Sequence, residues 1–142
     1  MKFEFVLHRT KQKRELLNSN DRLHFHQHAQ ITHRLRSIAC REVKEWYQKN
    51  DEPFEAFHNG NPCTVKVIVY SPTKRRLDPP NIYPTVKALI DGFTDGGLWV
   101  DDNHEVIKSM SFEYGGLSGS KAYRIELDIK KCERKSLRNL SR

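Results

Sequence analysis

The stretch Cys63-Thr64-Val65-Lys66-Val67-Ile68-Val69-Tyr70 is the segment around which the other elements can be placed. Side chains alternate between the two faces of a strand. One face of this run therefore carries Cys63, Val65, Val67 and Val69. Its β-branched residues favour strand structure, and Ser71-Pro72 ends the run. The pattern predicts a strand in a central position of a sheet.

Amphipathic helices are predicted on both sides of this strand. The first has an apolar stripe at steps of three and four residues that ends near Asn50. Its residues are Ile31, Leu35, Ile38, Ala39, Glu42, Val43, Trp46 and Tyr47. Its other face is basic and carries Arg34, Arg36, Arg41, Lys44 and Lys49. In the second helix Asn81 is the predicted N-cap and Pro84 lies in the first turn, and Gly96-Gly97 ends the helix. Its stripe is Val86, Leu89, Ile90 and Phe93.

Three more strands complete the expected fold. Residues 2–7 alternate with Phe3 and Phe5 on one face, and the others span about 106–112 and 123–129. Residues 115–119 are the predicted turn between the last two, and residues 8–22, which lack an apolar period, are predicted to be an exposed loop. The order β-α-β-α-β-β predicts one α+β domain, a mixed sheet backed by two helices. We expect this domain to span residues 1–130 and a basic tail to span 131–142.

Composition excludes several classes of protein. Of the 142 residues 37% are apolar, and no run approaches the ~18 that a membrane span needs. The first residues also lack a signal-peptide pattern, which indicates a soluble, cytoplasmic protein. Cys40, Cys63 and Cys132 form neither a disulfide framework nor a CxxC motif. Without a P-loop, a GxGxxG motif or a nucleophile elbow, neither a nucleotide cofactor nor a hydrolase triad is expected.

Charge is unevenly distributed along the chain. The net charge is +7 and the pI is about 9.4, which favours a polyanionic partner. The tail from Lys130 to Arg142 carries six basic residues and one acid. By contrast, the segment from Asp78 to Glu105 carries six acids and one base, Lys87. Because like charges repel, such an acidic segment needs cations or separation to relieve it.

These acids suggest metal chemistry if folding brings them together. The helical spacing places Lys87 and Asp91 on the same outward face, while Asp78 precedes the helix and Asp101-Asp102 follow it. Carboxylates are ligands that Mg²⁺ and Mn²⁺ prefer, and such ions polarise a phosphodiester and activate water. Lys74-Arg75-Arg76 would hold phosphates beside them.

Other interpretations of the same residues remain open. The Asp-Pro-Pro-Asn segment, the Lys87/Asp91 pair and the Asp101-Asp102-Asn103 segment can each be structural: a turn, an ion pair and a loop. Four histidines are possible zinc ligands, although no familiar zinc spacing accompanies them. They are His24, His26, His28 and His33. Phe25 and Tyr83 are candidates for stacking on bases, whereas Trp46 and Tyr47 are expected in the core.

Three ordered blocks resemble the RusA family of Holliday junction resolvases. They are Arg75-Arg76-Leu77-Asp78-Pro79-Pro80-Asn81, Val86-Lys87-Ala88-Leu89-Ile90-Asp91 and Gly97-Leu98-Trp99-Val100-Asp101-Asp102. The first strand and the segment Leu17–His24 are also similar to the N-terminal part of this family. The resemblance implies a RusA-like fold and a homodimer that cuts four-way DNA junctions with Mg²⁺ or Mn²⁺. Such proteins are bacterial or phage-encoded and act in recombination and repair.

The resemblance also implies roles for individual residues. Asp78, Lys87 and Asp102 match catalytic positions. Asp78, Asp91, Asp101 and Asp102 would hold the metal. The DNA would be bound by Asn18, Asn20, Arg22, Lys74, Arg75, Arg76 and Asn81. One departure is Pro80, which stands where the family has a second metal-binding aspartate. Asp101, Asn81 or water would have to fill that position.

Three functions therefore compete. The first is a metal-dependent endonuclease of branched DNA. The second is a junction-binding protein on the same fold whose catalysis has lapsed because of Pro80. The third is a basic domain that prefers structured RNA.

Overall fold

The structure, a computed structural model, describes residues 1–133. Its strands are β1 (Lys2–Leu7), β2 (Cys63–Ser71), β3 (Ile107–Leu117) and β4 (Tyr123–Lys131). Its helices are α1 (Phe25–Lys49) and α2 (Tyr83–Asp95), and a short 3-10 helix, Pro79–Ile82, directly precedes α2. The chain is a single α+β domain with the predicted order β-α-β-α-β-β.

The four strands form one mixed sheet in the order β1-β4-β2-β3. As predicted, β2 is an inner strand; it runs antiparallel to β4 and parallel to β3. Val67 lies opposite Leu127 of β4 and Phe112 of β3, and Phe5 of β1 lies opposite Ile125. The long connections before and after α2 let β3 return parallel to β2.

The core lies between the sheet and the two helices. The predicted inward faces of β1 and β2 are buried, and the ring of Phe93 in α2 lies 4.8 Å from that of Phe3. From α1 the core receives Ile31, Leu35, Ala39 and Val43. Phe57 is also buried, so the loop after α1 packs back on the domain.

The two helices pack side by side and run in the same direction. Gly92 of α2 lies against Arg36 and Ala39 of α1, and one turn later Gly96 lies against Val43. A Cβ atom at position 92 would be only 2.2 Å from the backbone oxygen of Arg36. Glycine at this position therefore sets how closely α1 and α2 approach.

Two predicted boundaries are wrong. Asn81 is not the N-cap of α2 but lies within the 3-10 helix, since Pro79 and Pro80 favour helical φ values and start the turn earlier. Gly115 and Gly116 belong to β3 rather than to a turn. A Cβ on Gly115 would be 2.5 Å from the ring of Tyr70, so the glycine permits a close contact within the sheet.

Two predicted exposures are also wrong. Residues 8–22 are anchored rather than exposed throughout, because Leu16 and Leu17 are each 1% exposed. The backbone N–H of Leu17 donates to Thr85 Oγ1 at 2.7 Å, and that hydroxyl donates back to the Leu17 carbonyl at 2.6 Å. Tyr47, expected in the core, is exposed and donates its hydroxyl to the Gly97 carbonyl at 2.6 Å.

The predicted tail begins within the last strand. Lys130 and Lys131 belong to β4, and the backbone N–H of Cys132 donates to the Pro62 carbonyl at 2.9 Å. The other basic residues assigned to the tail lie outside the described residues. In residues 1–133 no helix has the length and apolar character that crossing a membrane requires.

Candidate active site

Lys87 lies between two of the predicted metal ligands. Its Nζ donates to Asp91 Oδ1 at 2.8 Å and to Asp102 Oδ2 at 3.1 Å. The first contact is the predicted i,i+4 pair on the outward face of α2, whereas Asp102 reaches it from the loop after the helix. Two carboxylates from different elements thus converge on one cationic nitrogen. The hydrogen bond with Asp91, followed by that with Asp102, raises the pKa of Lys87.

Arg36 of α1 supplies a second cation to the acidic segment. Its Nε and Nη2 donate to the carboxylate of Asp95 at 2.5 Å and 2.8 Å, which is bidentate geometry. These bonds lower the pKa of Asp95 and raise that of Arg36, and the charges of Asp91 and Asp102 raise the latter further. The repulsion among these acids is therefore relieved by Lys87 and by a residue of the other helix.

The other two predicted ligands, Asp101 and Asp78, do not bond Lys87. Asp101 uses Oδ1 to accept the backbone N–H of Asp102 at 2.7 Å and Oδ2 to accept Asn103 Nδ2 at 3.0 Å. Asp78 is exposed, and its Oδ1 is 4.0 Å from Arg76 Nε. Within residues 1–133 no group of three or more His, Cys, Asp or Glu side chains is placed to hold one metal ion. The four candidate histidines, which fall in this range, belong to no such group.

Asp78 instead lines a cleft formed by the N-terminal loop, the end of β2 and the 3-10 helix. We call it the basic cleft. Its predicted nucleic-acid-binding residues are Asn18, Asn20, Arg75, Arg76 and Asn81, and it also contains Arg9, Ser71, Thr73 and Tyr123. Arg22 and Lys74 are exposed but do not line it. A neighbouring cleft between α2 and β3 contains Tyr83, Lys87 and Asp102. The two clefts share no lining residue, although Asn81 and Tyr83 are only two residues apart.

Asp21 organises the loop that borders the basic cleft. Its side chain is only 5% exposed and contacts Arg9 Nη2 at 2.5 Å and Arg14 Nη2 at 2.6 Å. The backbone N–H of Asn18 donates to its other oxygen at 2.8 Å. Burial raises the pKa of Asp21, but the bonds from Asn18, Arg9 and Arg14 outweigh burial and leave that pKa below its usual value of 3.8.

This lowered pKa leads to a pH-dependent expectation. A carboxyl with a lowered folded-state pKa stabilises the fold fully above about pH 4, and the stabilisation is lost as pH falls through the lowered pKa. Asp21→Asn should cost about 2 kcal/mol near neutral pH, a typical value for hydrogen bonds to a charged group. Urea unfolding of both proteins should show this difference shrinking below about pH 4.

A control and a contrary result sharpen this measurement. Glu105→Gln removes an exposed carboxylate of the same charge and should change the unfolding free energy by less than ~0.5 kcal/mol. If the cost of Asp21→Asn were the same at all pH values, the charge of Asp21 would not be its source.

Sequence reasoning missed Arg36, Arg9 and the role of Asp21. The signal for Arg36 was Gly92, because a glycine inside an amphipathic helix indicates a close neighbour. The signal for Asp21 was its negative charge within a basic segment, since only Glu15 and Asp21 are acidic among residues 8–22. Glu15 is likewise buried and contacts Arg34 Nη2 at 2.6 Å. A buried carboxylate in a basic loop requires cationic partners, and here both have them.

No protein-family model matches the chain, and no curated protein matches it either.

Proposed function

We propose that this protein is a metal-dependent endodeoxyribonuclease that cuts branched DNA. The observation that carries the proposal is the convergence of Asp91 and Asp102 on the single nitrogen of Lys87. Two carboxylates that already hold one positive charge form a donor set of the kind that hard cations use. Mg²⁺ in particular is bound through one or two carboxylates, several waters and substrate phosphate.

On this proposal Asp91 and Asp102 would hold Mg²⁺ or Mn²⁺, with water and substrate phosphate as its other ligands. When bound, such an ion would polarise the scissile phosphodiester and lower the pKa of an attacking water. Lys87 would direct its ammonium toward the charge that develops on the phosphate. Asp101 supports this arrangement by bonding the backbone at Asp102, so we assign it a positioning role rather than that of a ligand.

The basic cleft supports DNA as the substrate. Arg9, Arg75 and Arg76 supply positive charge, and the amide groups of Asn18, Asn20 and Asn81 supply hydrogen bonds suited to phosphate and sugar. Asn81 of this cleft and Tyr83 of the cleft that holds Lys87 are two residues apart, so we propose that a strand bound in the first leads to the second. Asp78 lines the basic cleft, so we assign it no role as a ligand of the ion at Asp91 and Asp102.

The choice of a four-way junction and of a homodimer comes from the resemblance to the RusA family. A symmetric junction suits two copies that each present one cleft. The proposal is tested by incubating the protein with a four-way junction and Mg²⁺ or Mn²⁺. We expect paired symmetric nicks, and an uncut junction with both metals would overturn nuclease activity.

The position of Asp78 favours a second candidate, a junction-binding protein without cleavage. Asp78 lines a different cleft from Asp102, and Pro80 cannot replace the missing aspartate. This candidate predicts binding that weakens steeply with salt, no nicks, and no heat of Mn²⁺ binding in calorimetry. Competition with structured RNA at equal salt separates both candidates from an RNA-associated domain.

A further inference from the structure

The interaction between Asp21 and Arg9 carries an inference about how the basic cleft is built. Arg9 lines this cleft and its side chain is 31% exposed, whereas Asp21 is 5% exposed and does not line it. Asp21 therefore contacts Arg9 from the protein interior, outside the cleft itself. Its other partners, Arg14 and the backbone of Asn18, hold it in place.

The loop around Asp21 is itself fixed at several points. The backbone N–H of Asp21 donates to the Asn18 carbonyl at 3.0 Å, and the N–H of Asn20 donates to Asn18 Oδ1 at 3.0 Å. Ser19 bonds the Asn81 carbonyl through its backbone N–H at 2.8 Å and its hydroxyl at 3.1 Å. Asp21 is thus a buried anion on a loop tied to the 3-10 helix.

We propose that Asp21 is a positioning residue that holds the Arg9 guanidinium in the basic cleft, ready to bind a DNA phosphate. An arginine has several rotatable bonds, and ordering them on binding costs free energy. A carboxylate that orders the side chain beforehand removes part of that cost. Arg9 has further N–H donors beyond the one that bonds Asp21, so it can bind the Asp21 carboxylate and a DNA phosphate at the same time.

This inference rests on the proposed function, since it requires DNA in the basic cleft. It also runs against simple electrostatics: Asp21→Asn makes the protein one unit more positive, which by itself would strengthen DNA binding. Loss of binding in this variant would therefore point to lost positioning.

The test is a double-mutant cycle of four-way-junction binding over a range of salt, without divalent metal so that nothing is cut. Arg9→Gln should lower the slope of log affinity against log salt by about 0.9, the value for one phosphate contact. Asp21→Asn should weaken binding and lower the slope similarly. Arg9→Gln combined with Asp21→Asn should bind no more weakly than Arg9→Gln alone, because both changes remove one contact.

Glu15→Gln is the matched control. Glu15 is also a buried carboxylate of this loop paired with an arginine, but its partner, Arg34, does not line the basic cleft. We expect unchanged or slightly tighter binding. Equal losses in Glu15→Gln and Asp21→Asn, or additive losses in the cycle, would overturn the positioning role.

A measurement on the wild-type protein covers the case in which Asp21→Asn does not fold. In the free protein, NMR should show a resolved, slowly exchanging guanidinium for Arg9, which a freely solvated arginine lacks. An averaged Arg9 signal would overturn the inference. If the wild-type protein binds no branched DNA at all, the proposed function fails instead.

Discussion

Asp102→Asn is expected to slow junction cleavage by about 10³-fold, since a bound metal ion contributes several kcal/mol to the transition state and each 1.4 kcal/mol is a factor of ten. The substitution removes one of the two carboxylates that converge on Lys87. An asparagine oxygen still accepts the hydrogen bond from Lys87 Nζ, so the loop and the fold should persist. Junction binding should persist as well, because Asp102 lies outside the basic cleft.

Cleavage and binding are measured on the same labelled junction, with and without Mg²⁺. Glu105→Gln is the matched control, because it also removes one negative charge. Glu105 is exposed and lies three residues after Asp102. It should leave the rate near that of the wild-type protein. Equal rates in Asp102→Asn and Glu105→Gln would exclude Asp102 as a ligand.

Gly92→Ala is expected to destabilise the fold by about 3 kcal/mol, the upper part of the usual range for overpacking. The new Cβ would be 2.2 Å from the Arg36 carbonyl oxygen and 2.6 Å from Ala39 Cβ. Backbone atoms cannot move away by changing rotamer, so α1 and α2 must separate. The gain of about 1 kcal/mol in helix propensity from glycine to alanine is too small to offset this.

Thermal unfolding measures the effect of Gly92→Ala, and a loss of this size in a chain of 142 residues lowers Tm by roughly 10 °C. Gly60→Ala is the control, because its Cβ would meet only side-chain atoms, those of the His58 ring at 3.0 Å, and no backbone atom within 4 Å. A Tm for Gly92→Ala equal to that of Gly60→Ala would mean that the helices do not approach this closely. Separation of the helices should also weaken the ion pair between Arg36 and Asp95.

Elements with a clear period could be predicted from the sequence. The alternation in β2 and the apolar stripe of α1 were sufficient to predict these two elements, since burial of one face is the main force that forms them. Boundaries depended on contacts that periodicity does not contain. Gly115 was predicted to lie in a turn because it is in a glycine-rich segment. The contact that requires glycine there is with the ring of Tyr70 on another strand, and the sequence does not show it.

The candidate site was predictable only where its residues are close in sequence. Lys87 and Asp91 followed from helical spacing, whereas the contact of Asp102 with Lys87 depends on the path of the loop after α2. Asp78 and Asp102 line different clefts, and no periodic signal in the sequence indicates this. Arg9 and Asp21 had no periodic signal, because they lie in a loop held by Thr85 and Asn81.

The shared direction of α1 and α2 has an electrostatic consequence. The aligned peptide dipoles of a helix are equivalent to roughly half a positive charge at its N-terminus. Both helices begin close in sequence to residues of the basic cleft, since Phe25 follows Asn20 and Tyr83 follows Asn81 by a few residues. A polyanion that approaches this end meets positive potential from the backbone as well as from side chains. Part of that attraction would therefore survive even if Arg75 and Arg76 were both neutralised.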